Sequence, residues 1–317
     1  MKGWTVALGL LSLSGAVAGA VFAGMHAQAN AENATNALVL AERAAPSPST
    51  AAPVAALSAP RAAAPSASAV PVARARVSFR KTTTYNGAPV YVPDGCHDTY
   101  NVVMHFHGAH PYVRDLVEKA NLDAVVAVFN AGNGAEKYAQ AFGAGGTLSS
   151  LLHQIELAAA PLCPGADARA GRVALMAWSA GYGAVEKLLS REEDRERVDA
   201  ALLADGLHAG FADVWKRQFA PNALEAFRDF GELAKQGKKL FAITHSSIMT
   251  DGYGSTTECS RLLLKALNVA CDDDLVSGKS GDFSIEGFTG SDAPAHIVQF
   301  RQMDTTLLSK LRTRWAR

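Results

Sequence analysis

Apolar runs of strand length alternate with segments whose apolar residues recur at helical spacing, from about Arg76 to Arg317. The predicted strands are Val77–Tyr85, Pro89–Val92, Asn101–Phe106, Ala124–Phe129, Val173–Trp178, Val198–Ala204, Lys239–Thr244 and a weaker one at Phe283–Phe288. The predicted helices are Thr147–Leu157, Gly183–Leu189, an aromatic-rich region from Phe211 to Leu233, Thr256–Leu267 and a last helix from His296 to about Leu311. Buried strands that alternate with helices are typical of a parallel sheet covered on both faces. The turn Asn86-Gly87 joins the first two strands as a hairpin, so the predicted fold class is α/β with a mostly parallel central sheet.

The N-terminus carries the parts of an export signal. Met1-Lys2 gives a basic start, an uncharged and mostly apolar run extends from Gly3 to Met25, and His26–Ala31 offers two overlapping cleavage sites between small residues. This arrangement predicts a secretory signal peptide over residues 1–31. Because about 20 apolar residues also suffice to span a bilayer, an uncleaved membrane anchor is the alternative, and a plain core helix is a third. With a signal peptide or an anchor, the rest of the chain is periplasmic, secreted or tethered to the outer face of a membrane.

The next region, residues 32–75, differs in composition from the rest. From about Ala44 to Ala73 it consists mostly of Ala, Pro, Ser and Val. Such a stretch buries too little apolar surface to offset its ordering entropy, so we expect a disordered tether. One folded domain, residues 76–317, then follows.

The overall charge and the apolar content limit the classes of function that fit this chain. The formal net charge is zero and 19% of the residues are charged, which argues against a large nucleic-acid interface and gives no clue to an acidic or basic substrate. Apolar residues make up 49% of the chain, enough for a sizeable core. Nothing in the composition indicates the oligomeric state.

All four cysteines lie in the predicted domain: Cys96, Cys163, Cys259 and Cys271. An even number in an exported chain predicts disulfides, with three connectivities open. We prefer Cys96–Cys163, because each precedes an apolar strand, and Cys259–Cys271, because they are close in sequence across a helix end. Four buried free thiols are the alternative. The chain contains no Cys-x-x-Cys pair, which argues against a cysteine metal site.

The most specific motif is Ala177-Trp178-Ser179-Ala180-Gly181, which follows an apolar strand and opens a helix. A nucleophilic serine in such a strand–turn–helix context needs small neighbours two residues away on each side, because the turn is tight. Through this motif the chain resembles the α/β-hydrolase superfamily, in particular bacterial esterases and depolymerases, over nearly all of the sequence from Arg76 onward. Ala177 departs from the glycine that the superfamily usually has there.

The resemblance also assigns an oxyanion hole. Met104-His105-Phe106-His107-Gly108-Ala109 ends the strand that precedes the serine strand. In the hydrolases that it resembles, a His-Gly loop at this place supplies one backbone N–H and the residue after the nucleophile supplies the other. The resemblance therefore implies Ala109 and Ala180 as the two donors.

His105 and His107 allow a different interpretation. Side chains two apart on a strand point to the same face, so this pair could ligate a metal. A third ligand would come from His110 or His208. A metal-dependent hydrolase is thus an alternative function, although a structural or loop-shaping role is the simpler explanation and our prediction includes no metal and no organic cofactor.

The general base must be a histidine that follows Ser179, because the superfamily orders its triad as serine, acid, histidine. His208, His245 and His296 qualify. His296 follows the last predicted strand and begins the last helix, where the superfamily has its histidine. We therefore predict His296 as the base, and the alternative is a solvent-facing histidine at a helix start.

Two aspartates compete for the acid. Asp205 ends the apolar strand Val198–Ala204, and some α/β-hydrolases have the acid there. Asp251 is the first carboxylate after Lys239–Thr244, where the acid more usually falls. An aspartate at the end of a buried strand needs a hydrogen-bond partner, which favours Asp205. A helix N-cap is the simpler explanation of Asp205.

The sequence thus predicts an exported serine hydrolase that cleaves a carboxylic ester. Candidate substrate contacts are His107, Trp178, His208 and His245. The connection Gly206–Lys238, where a lid would enter, is short, which predicts a minimal lid and an open site for a small-molecule or polymeric ester. Helical spacing favours core packing for five aromatic residues there, and an apolar wall is the alternative: Phe211, Trp215, Phe219, Phe227 and Phe230. A non-catalytic extracellular binding protein is the remaining alternative.

Overall fold

The computed structural model describes residues 76–165 and 168–317. The predicted signal segment and the linker lie outside the described residues. Within the described part, nine strands form the main sheet: β1 (Phe79–Thr83), β2 (Pro89–Pro93), β3 (Thr99–Phe106), β4 (Val125–Phe129), β5 (Arg169–Trp178), β6 (Ala200–Ala204), β9 (Leu240–His245), β11 (Gly278–Ser280) and β12 (Phe283–Gly287). A smaller sheet contains β7 (Ala209–Asp213), β8 (Gln218–Phe219) and β10 (Tyr253–Gly254).

The main sheet has the strand order β1-β2-β4-β3-β5-β6-β9-β12-β11. The pairs from β4 through β3, β5, β6 and β9 to β12 are parallel, whereas β1, β2 and β11 pair antiparallel at the two edges. These pairings confirm the predicted mostly parallel sheet. The prediction was possible because parallel strands buried on both faces need continuous apolar runs, which the sequence shows.

Helices cover both faces of the sheet. They are α1 (His110–Lys119), α2 (Ala135–Phe142), α3 (Thr147–Ala159), α4 (Tyr182–Leu189), α5 (Glu192–Arg197), α6 (Glu225–Lys235), α7 (Thr256–Ala266), α8 (Ala293–Arg301) and α9 (Ser309–Trp315). One face packs its apolar side chains against α2, α3, α4, α6 and α7, and the other face packs against α1, α8 and α9. Among residues 76–165 and 168–317, no helix is both long and apolar enough to cross a membrane.

The connection after β6 corrects the prediction of one helical region from Phe211 to Leu233. Its first half is the hairpin β7–β8, in which Phe211 pairs with Phe219, and the helix begins only at Glu225. The exposure alternates from residue to residue along β7, a period of two rather than the helical period. The polar turn from Pro221 to Asn222 then separates the hairpin from α6.

The five aromatic residues of this connection therefore separate. Phe227 and Phe230 on α6 are fully buried and contact Phe241 of β9, so they belong to the core. Phe211 and Phe219 contact each other within the hairpin, with ring centroids 5.1 Å apart. Trp215 at the hairpin tip is 97% exposed. The alternative of a single apolar wall formed by all five aromatic residues is therefore wrong.

One of the two preferred disulfides is present. Cys96 and Cys163 are bonded, and both sulfurs lie within the core on the α3 side. The Cys259–Cys271 pairing is wrong, because both thiols are free. Cys259 lies in the first turn of α7 and is buried, whereas Cys271 follows the far end of that helix. The intervening helical turns, at about 1.5 Å per residue, hold the two apart.

Replacement of Cys96 and Cys163 by alanine should lower the free energy of unfolding by about 2–4 kcal/mol, because the bond closes a long loop and restricts the unfolded chain. Urea unfolding followed by circular dichroism measures this change. Cys271→Ser, which alters a partly exposed free thiol, is the matched control and should be close to wild type. Four thiols that alkylate in the native protein without reductant would contradict the bond.

Candidate active site

Ser179 occupies a sharp turn between β5 and α4. Its φ is +48°, in the left-handed region, and residues Ser179–Gly181 form a single 3₁₀ turn that leads into the helix. A non-glycine residue in this region is uncommon and strained, and this strain is the feature expected of a nucleophile that is presented at a strand–turn–helix junction. Ser179 lies at the carboxyl edge of the sheet and is 6% exposed.

The residues two positions from Ser179 on either side, Ala177 and Gly181, are small for different reasons. A Cβ atom on Gly181 would lie 2.1 Å from the carbonyl oxygen of Phe106, so no other residue fits against β3. Ala177, by contrast, is a fully buried residue of β5, and its methyl group is part of the core. The departure from glycine at position 177 is therefore accommodated by packing.

Asp205 and His296 meet beside this turn. The Nδ1 atom of His296 lies 2.7 Å from Oδ2 of Asp205, although the two residues are 91 positions apart in sequence. Asp205 follows β6 with a φ of +44°, and the chain continues into β7 rather than a helix. Asp205 is therefore not a helix N-cap, which corrects the simpler explanation of its position.

The Asp205 carboxylate is held by four donors. Besides His296, it accepts hydrogen bonds from the Ser246 backbone N–H at 3.0 Å, the Ser246 hydroxyl at 2.7 Å and the Thr256 hydroxyl at 2.9 Å. The aspartate is 2% exposed, so its charge depends on these bonds. Ser246 and Thr256 were not singled out from the sequence. Their only signal is that Ser246 follows β9 and that Thr256 begins α7, both at the carboxyl edge.

These contacts determine the ionisation of Asp205. Burial raises its pKa, but the hydrogen bond to His296, the charge of His296 and the bonds from Ser246 outweigh burial and lower the pKa to about 2. The residue is an acceptor-only carboxylate at neutral pH. Because its pKa is lower in the folded chain than the usual value of about 3.9, it stabilises the fold above about pH 4. This contribution is lost as the pH falls towards 2.

The histidine is oriented through both its side chain and its backbone. His296 lies in the first turn of α8, and its carbonyl accepts a hydrogen bond from Trp178 Nε1 at 3.2 Å. The imidazole packs on the same indole, with ring centroids 4.8 Å apart. Since a carboxylate can only accept, Nδ1 carries the proton towards Asp205, and Nε2 keeps its lone pair. In the neutral imidazole, Nε2 is therefore the nitrogen that can accept a proton.

Asp251, the alternative acid, lies elsewhere. It is exposed on the loop after β9. The pKa of Arg217 is raised mainly by its hydrogen bonds to Glu258 and to a smaller extent by the nearby charge of Asp251. The structure thus places Asp205, and not Asp251, against His296.

A second strained turn follows β3. His107 has a φ of +70° and Gly108 one of +141°, and Ala109 then caps α1. The Asn130 side chain accepts a hydrogen bond from the Gly108 N–H at 2.9 Å and donates one to the Gly108 carbonyl at 3.0 Å. His105 Nε2 donates to the His107 carbonyl at 2.7 Å. Asn130, which directly follows β4 and which was not singled out from the sequence, therefore fixes the path of this loop.

The ionisation and contacts of His105, His107 and His110 are relevant to the alternative of a metal site. Burial lowers the pKa of His105 to about 3 and that of His107 to about 4, so both are neutral. His105 faces the backbone of the loop, and His107 Nδ1 lies 2.9 Å from the Tyr138 hydroxyl. In the part of the chain that the structure describes, no three His, Cys, Asp or Glu residues are grouped to hold a metal ion. His110 instead contacts the Tyr91 hydroxyl through Nδ1 at 2.6 Å.

The four candidate substrate contacts occupy different surroundings. Trp178 is 1% exposed and its indole contacts the rings of both His107 and His296. His208 packs beside Tyr182 and Tyr253, with its Nδ1 atom 3.0 Å from the Gly254 carbonyl. His245 is buried on β9, and its two nitrogens face the Ser246 and Val276 carbonyls. Contact of these residues with substrate stays a prediction.

Comparison with known proteins gives weak likenesses. No family model matches the chain, and no curated protein matches it. Among solved structures, the esterase Pf2001 of Pyrococcus furiosus is 11% identical over 75% of this chain and 90% of that one, with a TM-score of 0.38. Carboxyl esterase 2 of Tuber melanosporum is 13% identical over 78% of this chain and 89% of that one, with a TM-score of 0.41. An IroE-like serine hydrolase of Shewanella oneidensis is 14% identical over 72% of this chain and 79% of that one, with a TM-score of 0.41.

At these identities and TM-scores, the likenesses carry no argument about activity or substrate. The fold follows from the molecule itself. The parallel strands β3, β5, β6, β9 and β12 end at one edge of the sheet, and helices cover both faces. A strained serine turn leads from the central strand β5 into a helix. The chain has an α/β-hydrolase-like fold.

Proposed function

We propose that the chain is an exported serine hydrolase that cleaves carboxylic esters, with Ser179 as nucleophile, His296 as general base and acid, and Asp205 as the orienting carboxylate. The observation that carries the proposal is the 2.7 Å hydrogen bond between His296 Nδ1 and Asp205. It joins two residues that are distant in sequence, beside the strained turn of Ser179. A buried, four-times-bonded carboxylate whose partner is an imidazole is the arrangement that activates a serine.

The reaction proceeds in two acyl transfers. The Ser179 hydroxyl attacks the ester carbonyl carbon, and His296 Nε2 takes the hydroxyl proton as the bond forms. His296 then gives this proton to the departing alcohol, which leaves an acyl-serine. A water molecule attacks that ester in the same way, with His296 first as base and then as acid. Asp205 stays ionised throughout and stabilises the charged imidazolium.

Backbone amides stabilise the negative oxygen of each tetrahedral intermediate. The Ala180 N–H belongs to the turn that follows Ser179, and the Ala109 N–H belongs to the loop that Asn130 and His105 hold in place. Two donors that are already oriented need no rearrangement when charge develops. Removal of one such donor in serine hydrolases costs about 10²–10³ in rate.

Export is supported by two independent features. The predicted signal segment begins the chain, and the Cys96–Cys163 bond is a type of bond that persists in oxidising compartments. Whether the signal is cleaved or retained as an anchor is tested by sequencing the N-terminus of the protein recovered from the exported fraction. A start near residue 32 supports cleavage, and an intact Met1 supports the anchor.

A fluorophosphonate probe should label the full-length protein once, on the peptide that contains Ser179. The probe reacts with serine hydroxyls whose proton is removed by a neighbouring base, so only a serine beside such a base should be labelled. Tandem mass spectrometry of the digested protein identifies the modified residue. Absence of labelling in folded protein would favour the non-catalytic binding protein, and labelling at another serine would move the nucleophile.

A further inference from the structure

An open cavity of about 650 Å³ lies at the carboxyl edge of the sheet, on the α3 side. Its walls come from the turn between β1 and β2, the end of β4, the end of α2 and the first two turns of α3. The volume is within the range of roughly 300–1,000 Å³ that is typical of small-molecule sites. This cavity contains neither Ser179 nor His296, so the proposed chemistry leaves it without a role.

The cavity is hydrogen-bonding but uncharged. Among the described residues that line it, none is Asp, Glu, Lys, Arg or His. Its polar wall is a chain of side chains in which Asn86 donates to Gln154 at 3.2 Å and Gln154 donates to Ser150 at 3.3 Å. An amide has two donors and an acceptor oxygen with two lone pairs, and Ser150 keeps its own hydroxyl proton. The wall therefore retains donors and acceptors beyond those that it uses internally.

Other lining residues form an apolar, partly aromatic wall. They include Phe129 at the end of β4, Phe142 at the end of α2 and Leu151 of α3. Tyr85 is 76% exposed at the rim. Uncharged amides and hydroxyls that face aromatic side chains match a ligand with polar hydroxyls at its edge and apolar C–H faces. A free carboxylate or phosphate would find no cationic side chain there, and an alkyl chain would leave the amides without partners.

Two lining residues, Asn130 and Phe129, connect the cavity to the proposed oxyanion loop, and the Phe129 carbonyl accepts a hydrogen bond from the His107 N–H at 3.1 Å. Asn130 lines the cavity and also makes both hydrogen bonds to Gly108. Asn130 directly follows β4, which is separated from the serine strand β5 by β3 alone, so the near side of the cavity is two strand spacings, about 10 Å, from the line of β5. A substrate bonded at Ser179 can reach the cavity only with a second unit beyond the group that is cleaved.

We propose that this cavity binds a neutral, hydroxyl-rich unit of the ester substrate, such as a sugar ring, next to the ester that Ser179 attacks. The proposal rests on the proposed esterase function for its reaction but not for its binding. The polar wall of Asn86, Ser150 and Gln154 holds the ring hydroxyls, and the aromatic wall packs on the ring face. Substrates of this kind are acylated saccharides, small or polymeric.

Saturation-transfer NMR on the full-length protein tests the binding directly. The probes are cellobiose, the corresponding disaccharide with one carboxylate, and hexan-1-ol. Cellobiose should bind with a dissociation constant on the order of millimolar, and the other two should bind at least about tenfold more weakly. Preference for the carboxylate would overturn the claim of a neutral ligand, and preference for hexan-1-ol would overturn the claim of a hydroxyl-rich one. Absence of cellobiose binding would overturn the assignment.

Gly145 provides a variant that fills the cavity. It lines the cavity, and an added Cβ atom would meet nothing within 4 Å, so Gly145→Phe should fold and weaken cellobiose binding at least about tenfold. Ser149→Phe is the matched control, because Ser149 lies four residues away, is exposed on α3 and does not line the cavity. Asn86→Ala, at an exposed turn, is a second variant that should weaken binding without filling space. Equal binding by both Phe variants would overturn the location of the site.

Turnover separates this inference from the proposed function. In Gly145→Phe, the kcat/KM for acetylated cellobiose relative to that for ethyl acetate should fall at least about tenfold, and Ser149→Phe should keep the wild-type ratio. An unchanged ratio in Gly145→Phe would overturn the role of the cavity in substrate selection. Disaccharide binding by a protein that hydrolyses neither ester would overturn the esterase function and leave the binding site standing.

Discussion

Ser179→Ala should reduce kcat for a simple aryl ester by about 10⁵–10⁶, to the level left by binding and the oxyanion donors alone, as for loss of a serine nucleophile in other hydrolases. The nearby hydroxyls of Ser246 and Thr256 donate their protons to Asp205, so neither is placed to replace Ser179. Alanine keeps the small volume that the turn needs, so the circular dichroism spectrum and the melting temperature should stay close to wild type. Steady-state kinetics and a thermal melt measure both effects.

Ser190→Ala is the matched control for this variant. Ser190 follows the other end of α4, is exposed, and donates its hydroxyl proton to the Lys187 carbonyl at 2.8 Å. It is remote from the carboxyl edge, so its loss should leave ester turnover unchanged. If Ser179→Ala retains turnover near the wild-type rate in enzyme free of contaminating esterase, Ser179 is not the nucleophile.

Asp205→Asn should reduce kcat by up to about 10⁴, with a smaller effect on KM, as for the equivalent change in a serine protease triad. The reason lies in the direction of one hydrogen bond. The asparagine amide would donate to His296 Nδ1 and shift the imidazole proton to Nε2, where it blocks acceptance of the serine proton. The charge that stabilises the imidazolium is lost as well. Ester kinetics over a range of pH, together with a thermal melt, separate this effect from unfolding.

Asp251→Asn is the control, because it changes an exposed loop carboxylate in the same chemical way. It should cost less than about threefold in kcat, since the charge of Asp251 acts on the surface cation Arg217, and the carboxylate that bonds to His296 is Asp205. The opposite ranking, with a severe loss at Asp251 and near wild-type turnover in Asp205→Asn, would transfer the acid to the later loop. Ser179 and His296 would keep their proposed roles.

The main sheet could be predicted from the sequence because its strands have a strong and local signal. A strand such as β6, Ala-Ala-Leu-Leu-Ala, is buried along its whole length, and only a sheet covered on both faces requires such a run. The hairpin β7–β8 has a weaker signal, since its aromatic residues fit a helical spacing as well as a strand one. Only its burial alternation, which depends on the tertiary fold, distinguishes the two.

Part of the site could also be predicted, because some of its residues have a signal that is local in the sequence. Ser179 and the loop at Gly108 are local features, because a tight turn demands particular neighbours. The partners of Asp205 are distant in sequence, because Ser246 and Thr256 come 41 and 51 residues later. Serine and threonine are also common residues, and neither belongs to a recognisable motif here. Asn130 is likewise identifiable only from its two bonds to Gly108. Such long-range hydrogen bonds leave no periodic pattern in the chain.

In the proposed mechanism, Ser179 carries the acyl group of the ester during turnover. The most direct measurement is rapid acid quenching of the full-length protein with an aryl ester, followed by peptide mapping by mass spectrometry. Asp205→Asn protein serves alongside wild type, because slower deacylation should increase the trapped fraction. We expect a single acylated peptide, modified at Ser179 and absent from Ser179→Ala protein. Turnover that continues with no acylated serine, or with the acyl group on another residue, would contradict it.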